Sequence, residues 1–191
     1  MSINSLISKL MLTSCVLAMA TQPHVSGQSR GSTRPVSESD VYYDTGYHPS
    51  TQLPDSAWRA FSRWLKKQGF VEGRHLRRDD VNQTVIHLSD RRKRDFLVQG
   101  ATTWLTGADN SWYWVLANLR GNYRVVLFAH TGDLKFQSVR SHGMRDIHTF
   151  LTIGGTNYVN RYKFDGRTYK AHTCTETDLI TKKTKRSACR G

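Results

Sequence analysis

One β-strand pattern is written twice between residues 84 and 173, and this echo constrains the fold more than any other feature of the chain. The first copy carries Arg94-Asp95 and a turn glycine at Gly121, and the second carries Arg145-Asp146 and Gly166. An aromatic strand segment lies between the Arg-Asp pair and the glycine in both copies. Self-similarity at this spacing is typical of blade-like or sandwich-like β units.

Alternating apolar and polar residues, separated by turn residues, predict four strands in each copy. A hairpin is expected around Arg120-Gly121, and Asp165-Gly166 predicts a two-residue turn. Two units are too few to close a propeller, so we expect a mainly β protein of two tandem four-stranded antiparallel meanders, arranged as a sandwich or a partly closed sheet. The predicted strands are Thr84–Leu88, Asp95–Gln99, Trp112–Ala117, Asn122–Ala129, Lys135–Val139, Asp146–Leu151, Tyr158–Phe164 and Arg167–Thr173.

A single amphipathic helix is predicted on the N-terminal side of these strands. Asp55 or Ser56 can cap its start, and Gly69 can end it. One face is aromatic and apolar and the other is basic, which favours packing of the aromatic face on the sheet, with an anionic membrane surface as the alternative. The aromatic face holds Ala57, Trp58, Phe61, Trp64 and Leu65, and the basic face holds Arg59, Arg63, Lys66 and Lys67.

The first 20 residues have the pattern of an export signal. Lys9 precedes an apolar run that reaches Ala20, and Ala18 and Ala20 are small residues at the positions that signal peptidase requires. The run is too short to span a bilayer. Cys15 also fits a bacterial lipobox, so lipidation at Cys15 is the alternative to cleavage after Ala20.

The composition after the signal changes twice. All four prolines fall in residues 21–54, where apolar residues are scarce, and such a stretch buries too little surface to offset its ordering entropy. We therefore expect a signal peptide at 1–20, a disordered linker at 21–54, a helix plus β domain at 55–175 and a basic tail at 176–191.

Charge and cysteine usage point to a compartment and a class of partner. Lys and Arg outnumber Asp and Glu by 28 to 15, and a net charge of +13 attracts polyanions such as lipopolysaccharide, teichoic acid, nucleic acid or anionic lipid. With Cys15 in the signal, Cys174 and Cys189 form an even pair, which favours a disulfide that ties the tail to the last strand. Two free thiols are the alternative. The expected location is the periplasm or the extracellular medium.

Two motifs carry a resemblance to known proteins. Residues 162–169 read Tyr-Lys-Phe-Asp-Gly-Arg-Thr-Tyr, and residues 106–115 read Thr-Gly-Ala-Asp-Asn-Ser-Trp-Tyr-Trp-Val. They resemble the "YRFDGKxY" and "CGANN" motifs of uncharacterised exported bacterial β-repeat proteins, and the units loosely resemble FG-GAP or VCBS repeats. The resemblance covers about residues 84–175 and implies a fold and a compartment, with no established activity.

The chain departs from these relatives at two places. Their cysteines in the first motif are replaced here by Thr106 and Ser111, so the disulfide that the resemblance implies is missing. FG-GAP repeats often bind calcium through an Asp-rich turn, but the interior of the turn at 90–95 is cationic, whereas calcium needs oxygen ligands. We therefore expect no metal and no cofactor.

Cationic runs beside aromatic residues predict the ligand site. One run lies at 74–78, a second at 91–94 in a predicted turn, and a third in the C-terminal tail. Cations together with stacking rings suit a carbohydrate or single-stranded nucleic acid. The predicted ligand-binding residues are Arg74, Arg77, Arg78, Arg91, Arg92, Lys93, Trp104 and Tyr113.

Enzyme signatures are weak. The sequence has no Gly-x-Ser-x-Gly elbow, phosphate-binding Gly-Lys-Ser/Thr loop or His-Glu-x-x-His helix. His142 and His148 could approach one pocket, and His172 follows in the same copy, so a hydrolase is one alternative, although no catalytic residue is assigned.

The expected function is therefore that of an exported, non-catalytic binding module of the bacterial envelope that recognises an anionic polymer. The main alternative is an inhibitor or immunity-type protein that blocks the cleft of an enzyme partner. Nucleic acid is a less favoured ligand because the chain carries an export signal.

Overall fold

The computed structural model describes residues 42–43, 52–90, 92–106 and 110–189. The export signal, the lipobox cysteine and most of the linker that the sequence predicts lie outside these residues. The described part contains one α-helix, α1 (Asp55–Lys67), and a short 3-10 helix (Arg78–Asp80). Its strands are β1 (Tyr42–Tyr43), β2 (Val81–Ile86), β3 (Asp95–Gly100), β4 (Ser111–Leu119), β5 (Asn122–Thr131), β6 (Asp133–Ser141), β7 (Met144–Ile153), β8 (Thr156–Phe164), β9 (Tyr169–Asp178) and β10 (Thr184–Arg186).

The predicted pair of four-stranded meanders is confirmed. One sheet has the order β2-β3-β4-β5, and the other contains β6-β7-β8-β9 in sequence, with every neighbouring pair antiparallel. Short connections between consecutive strands produce this order, since a hairpin can only join neighbours. The second sheet is extended at its two edges by β1 and β10.

The edge strands correct two predicted boundaries. Tyr42–Tyr43 pairs with β6, and Leu53 is 2% exposed within the apolar core, so parts of the predicted linker at 21–54 belong to the fold. The predicted tail also begins too early, because β9 extends to Asp178 and Thr184–Arg186 pairs with it as β10.

The two sheets face each other as a sandwich. Side chains from the inner faces of both sheets share one apolar cluster, and burial of this shared face is what holds the sheets together. Tyr113 and Ile147 are among its most deeply buried members. The cluster comprises Ile86, Leu88, Leu97, Tyr113, Val115, Ala117, Val126, Leu127, Leu134, Phe136, Met144, Ile147, Tyr162, Phe164 and Tyr169.

Helix α1 covers the outer face of the four-stranded sheet, as its amphipathic pattern predicts. Phe61 and Leu65 are fully buried there, and the ring centroids of Phe61 and Trp114 are 5.3 Å apart. Gly69 follows the helix with φ +78°, a left-handed conformation that glycine adopts without a steric penalty. The aromatic face of the helix therefore packs on protein, which removes the membrane-surface alternative for this face.

One predicted turn is longer than expected. Phe164 pairs with Tyr169, so β8 and β9 are joined by four residues rather than by a two-residue Asp-Gly turn. Asp165 Oδ1 accepts hydrogen bonds from the amides of Arg167 and Thr168, each at 2.8 Å. The aspartate thus stabilises the wider loop, because its carboxylate accepts two loop amides.

The predicted disulfide between Cys174 and Cys189 is present, with the two Cα atoms 5.1 Å apart. It joins β9 to the segment after β10, and the amide of Ser187 also donates to the carbonyl of Cys174 at 3.0 Å. The bond therefore holds the short edge strand against the sheet. No helix in the described residues is long and apolar enough to cross a membrane.

Candidate anion-binding cleft

Four connections between strands meet at one end of the sandwich and enclose a cleft of about 500 Å³. They are the β2–β3 connection, the β4–β5 and β6–β7 hairpins and the β8–β9 loop, so each sheet supplies two of them. The lining residues are Ser89, Lys93, Asn118, Leu119, Arg120, Asn122, Arg124, His142, Gly143, Met144, Phe164 and Gly166.

The charge of the cleft has one sign. Lys93, Arg120 and Arg124 are exposed along its wall, together with the imidazole of His142, and no lining residue is acidic. In the described part of the chain, no carboxylate lies within ion-pair distance of these three cations. Cations that share a concave surface raise the local concentration of anions.

Two of the lining side chains stand at the tips of matching hairpins. Arg120-Gly121 and His142-Gly143 are the central residues of two-residue turns, since Leu119 pairs with Asn122 and Ser141 pairs with Met144. All four central residues have positive φ, and the non-glycine values are 54° for Arg120 and 48° for His142. This type I′ geometry normally takes Asn, Asp or Gly. A larger side chain there costs about 1 kcal/mol, so stability alone does not explain these two residues.

His142 is oriented by a backbone carbonyl. Its Nδ1 lies 2.8 Å from the carbonyl oxygen of Phe164. A carbonyl oxygen only accepts hydrogen bonds, so Nδ1 must carry the proton, and Nε2 is the ring nitrogen that remains for a ligand. The contact also links the β6–β7 hairpin to the end of β8 across the cleft.

A fully buried carboxylate binds the backbone of two connections that form the cleft. Asp95 Oδ2 accepts a hydrogen bond from the amide of Leu88 at 2.9 Å, and Oδ1 accepts one from Asn118 at 2.8 Å. Burial raises the pKa of Asp95 above its ordinary range, and the two amide hydrogen bonds oppose this shift. Asn118 in turn accepts the amide of Gly121 at 2.8 Å. Asp95 therefore fixes the hairpin that carries Arg120.

Arg140 connects the two sheets beside the same cleft. Its Nη1 donates to the carbonyl oxygens of Leu88 at 2.6 Å, Ser89 at 2.7 Å and Gly143 at 3.2 Å. The amide of Arg145 also donates to the Leu88 carbonyl at 2.9 Å. These contacts hold the β2–β3 connection against the β6–β7 hairpin, so the width of the cleft is set by direct hydrogen bonds.

The two Arg-Asp pairs of the sequence pattern do different work. In the first sheet, the carboxylate of Asp95 accepts hydrogen bonds from backbone amides. In the second sheet, the guanidinium of Arg145 donates to backbone carbonyls, with Nε 2.7 Å from the oxygen of Gln137 and Nη2 3.0 Å from that of Phe136. The guanidinium of Arg94 instead lies 5.9 Å from the centre of the Phe96 ring. The two pairs therefore brace their sheets through different members, Asp95 in the first and Arg145 in the second.

Of the predicted ligand residues, Lys93 lines the cleft. Arg92 is exposed in the same connection, and Arg91 lies outside the described residues. Tyr113 is 1% exposed, and its hydroxyl donates to the carbonyl of Gly132, so this ring has no surface on which a ligand could stack.

The first cationic run lies away from the cleft because it precedes β2, whereas the cleft follows the end of that strand. Arg74 stacks 5.3 Å from the Trp104 ring. Arg78 is engaged structurally: it donates to the carbonyl of Leu53 and forms an ion pair with Asp55 at 2.7 Å. The lysines of the third run follow β9, again at the strand end opposite the cleft. The three predicted runs are thus dispersed over both ends of the sandwich.

The histidines do not share a pocket. His142 lines the cleft, but His148 is four positions after Met144 in β7, which places it roughly 13 Å further along the strand. Burial lowers the pKa of His148, and the nearby charge of Arg161 acts in the same direction. No group of three His, Cys, Asp or Glu side chains in the described residues could hold a metal ion.

Sequence reasoning missed Arg120 and Arg124, and it named His142 as a pocket residue only for the hydrolase alternative. Arg120-Gly121 was recognised as a turn, but nothing in the spacing of these residues indicates that they meet Lys93. No family model, no curated protein and no solved structure matches this chain.

Proposed function

We propose that this chain is an exported, non-catalytic module that binds an anionic ligand in the cleft at the end of the sandwich. The observation that carries the proposal is the convergence of Lys93, Arg120 and Arg124 on a cleft with no acidic lining residue. Two of the three come from the β4–β5 hairpin, and Lys93 comes from the neighbouring β2–β3 connection.

The size and shape of the cleft favour a part of a polymer or a small anion over a broad protein surface. A volume of about 500 Å³ lies in the range of sites for small molecules. Guanidinium groups bind phosphate and carboxylate through paired hydrogen bonds, and a lysine adds a compact charge. A phosphate-bearing envelope polymer, such as a teichoic acid, fits this chemistry.

Export is part of the proposal. The apolar run before Ala20 has the pattern of a signal peptide, and the Cys174–Cys189 disulfide is a feature of proteins that fold in oxidising compartments. In the periplasm or outside the cell, anionic polymers are the abundant ligands for a cationic cleft.

Binding of poly(glycerol phosphate) by titration calorimetry tests the proposal with a matched pair of variants. Arg120→Gln with Arg124→Gln removes two cleft charges, and Arg59→Gln with Arg63→Gln removes two exposed charges from α1. We expect the cleft variant to bind at least about tenfold more weakly, whereas the helix variant stays within about twofold of the parent. The reason is that salt screens the interaction of the ligand with distant charges much more than with the charges it contacts.

Equal losses in the two variants would mean that net charge alone attracts the polymer, and the proposal would fail. Affinity that does not change between low and high salt would also count against it. If the chain ignores the polymer and instead retains one stoichiometric protein from the periplasm, the inhibitor or immunity-type interpretation takes its place. Turnover that His142→Ala abolishes would favour the hydrolase.

A further inference from the structure

A compact apolar patch lies at the end of the six-stranded sheet that is opposite to the cleft. Among the described residues, four large hydrophobic side chains are exposed, and three of them lie in or beside two adjacent turns. Ile153 is 49% exposed beside the β7–β8 turn, and Leu179 and Ile180 are 38% and 88% exposed in the β9–β10 turn. Apolar side chains that are clustered and exposed indicate a contact surface.

Hydrogen bonds hold the two turns together. The amide of Leu179 donates to the carbonyl of Gly155 at 2.9 Å. Asp178 Oδ1 accepts the amides of Ile180 at 2.9 Å and Thr181 at 2.7 Å. Ile180 is therefore presented to solvent by a turn whose amides from Leu179 to Lys182 are hydrogen-bonded.

Exposed cations follow the apolar turn in the chain. Lys182, Lys183 and Arg186 are exposed directly after the apolar turn, and Lys185 forms an ion pair with Glu176 at 2.9 Å. The Asp178 carboxylate is occupied by the turn amides. A depression of about 550 Å³ adjoins these residues, and its lining is hydroxyl-rich and charged: Thr156, Glu176, Asp178, Thr181, Lys183, Thr184 and Lys185.

We propose that this patch docks the protein on an anionic lipid surface, with Ile153, Leu179 and Ile180 entering the interface and Lys182, Lys183 and Arg186 contacting lipid phosphates. Exposed aliphatic tips bordered by cations are the combination that binds such a surface, since burial of apolar area and attraction to anionic headgroups add.

Other occupants fit the patch less well. Three side chains offer too little apolar area for a stable protein interface, which takes about 800 Å² from each partner. A second copy of the chain would bring lysines against lysines, in a protein whose net charge is already +13. A bilayer needs only a shallow contact, and its phosphates complement the cations.

The test measures amide hydrogen exchange of the full chain, with and without vesicles. One set of vesicles contains phosphatidylcholine alone, and the other contains phosphatidylcholine with phosphatidylglycerol. We expect the anionic vesicles to slow exchange at least about threefold in residues 153–156 and 178–186. Protection confined to these two turns distinguishes docking at the patch from attachment of the protein to the vesicle through another part of the chain.

Matched variants sharpen the result. Ile180→Gln removes the most exposed aliphatic side chain of the patch, and Val139→Gln removes a 65% exposed valine near the cleft end. We expect Ile180→Gln to abolish most of the local protection and Val139→Gln to keep it. The variant Arg120→Gln with Arg124→Gln should also keep it, so failure of the cleft proposal and failure of this one are distinguishable.

Unchanged exchange in the two turns on anionic vesicles overturns the proposal. Protection that is equal on neutral and anionic vesicles overturns the role of the cations. If Ile180→Gln leaves vesicle binding intact but converts a dimer to a monomer in light scattering, a second copy covers the patch instead, and the proposal is wrong.

Discussion

The carboxylate of Asp95 accepts a 2.8 Å hydrogen bond from the backbone amide of Asn118, and this contact joins the start of β3 to the hairpin that borders the cleft. Its second oxygen holds the amide of Leu88 at 2.9 Å. One fully buried side chain thus fixes two of the four connections that form the cleft. The stability of the sandwich and the shape of its end depend on the same residue.

Asp95→Asn should destabilise the protein by about 2–3 kcal/mol, because the amide keeps one acceptor and turns an N–H group toward a backbone N–H. Urea unfolding at neutral pH measures this free energy. Asp90→Asn is the control: Asp90 is exposed, and its Oδ1 accepts the amide of Arg92 at 3.0 Å. We expect a loss under about 1 kcal/mol there. Equal losses in the two variants would contradict the special role of Asp95.

Arg120→Asn should stabilise the fold and weaken anion binding at the same time. Asn adopts the positive φ of 54° at this turn position more readily than Arg does, which should raise the free energy of unfolding by about 0.5–1 kcal/mol. Loss of the cation should weaken polyanion binding several-fold, as calorimetry would measure.

Arg124→Asn is the matched comparison for Arg120→Asn, because Arg124 lies within β5, where it pairs with Ala117. Asn is unfavourable in a strand, so this variant should lose binding without any gain in stability. A gain in stability at both positions, or at neither, would contradict the assignment of backbone strain to Arg120.

Tyr169 should make the protein sensitive to alkali. Its hydroxyl donates to the Arg145 carbonyl at 2.6 Å, and burial, followed by the charges of Asp95 and Asp146, raises its pKa well above the ordinary 10.0. Above about pH 10 the unfolded chain releases this proton while the folded chain keeps it. The free energy of unfolding therefore falls as the pH rises through this range.

Tyr169→Phe removes this component. We expect a loss of about 1 kcal/mol at pH 8 from the missing hydrogen bond, and a shallower decline in stability between about pH 10 and pH 11. Urea unfolding at a series of pH values compares the two slopes. Parallel curves for the parent and the variant would show that Tyr169 does not retain its proton on folding.

Thr106→Cys with Ser111→Cys should form a disulfide. The two residues face each other as an antiparallel β-bridge, and Cα atoms in such pairs are about 4.5–5.5 Å apart, within the range that a disulfide spans. Closing so short a loop should add up to about 2 kcal/mol. Thiol titration and unfolding with and without reductant measure the bond, with Thr106→Cys alone as the control. Free thiols under oxidising conditions would contradict the predicted pairing.

Local pattern was enough to predict most of the framework. Strand alternation and turn residues predicted both meanders, and the helix was correctly placed between Asp55 and Gly69. On β4 the structure puts Trp112 and Trp114 toward α1 and Tyr113 in the sandwich core, as the alternation of side chains along a strand requires. These features depend on near neighbours in the chain, so they can be seen in the sequence.

Only the tertiary structure decided which cations meet. Lys93, Arg120 and His142 are far apart in the sequence, and they come together because antiparallel strands return their turns to the same end of the sandwich. The same strand directions carry the runs at 74–78 and 182–186 to the opposite strand ends, although composition alone makes all the runs look alike. Strand identity and hairpin pairing follow from local chemistry, whereas the pairing of the edge strands β1 and β10 and a site at the strand ends follow from how the chain packs.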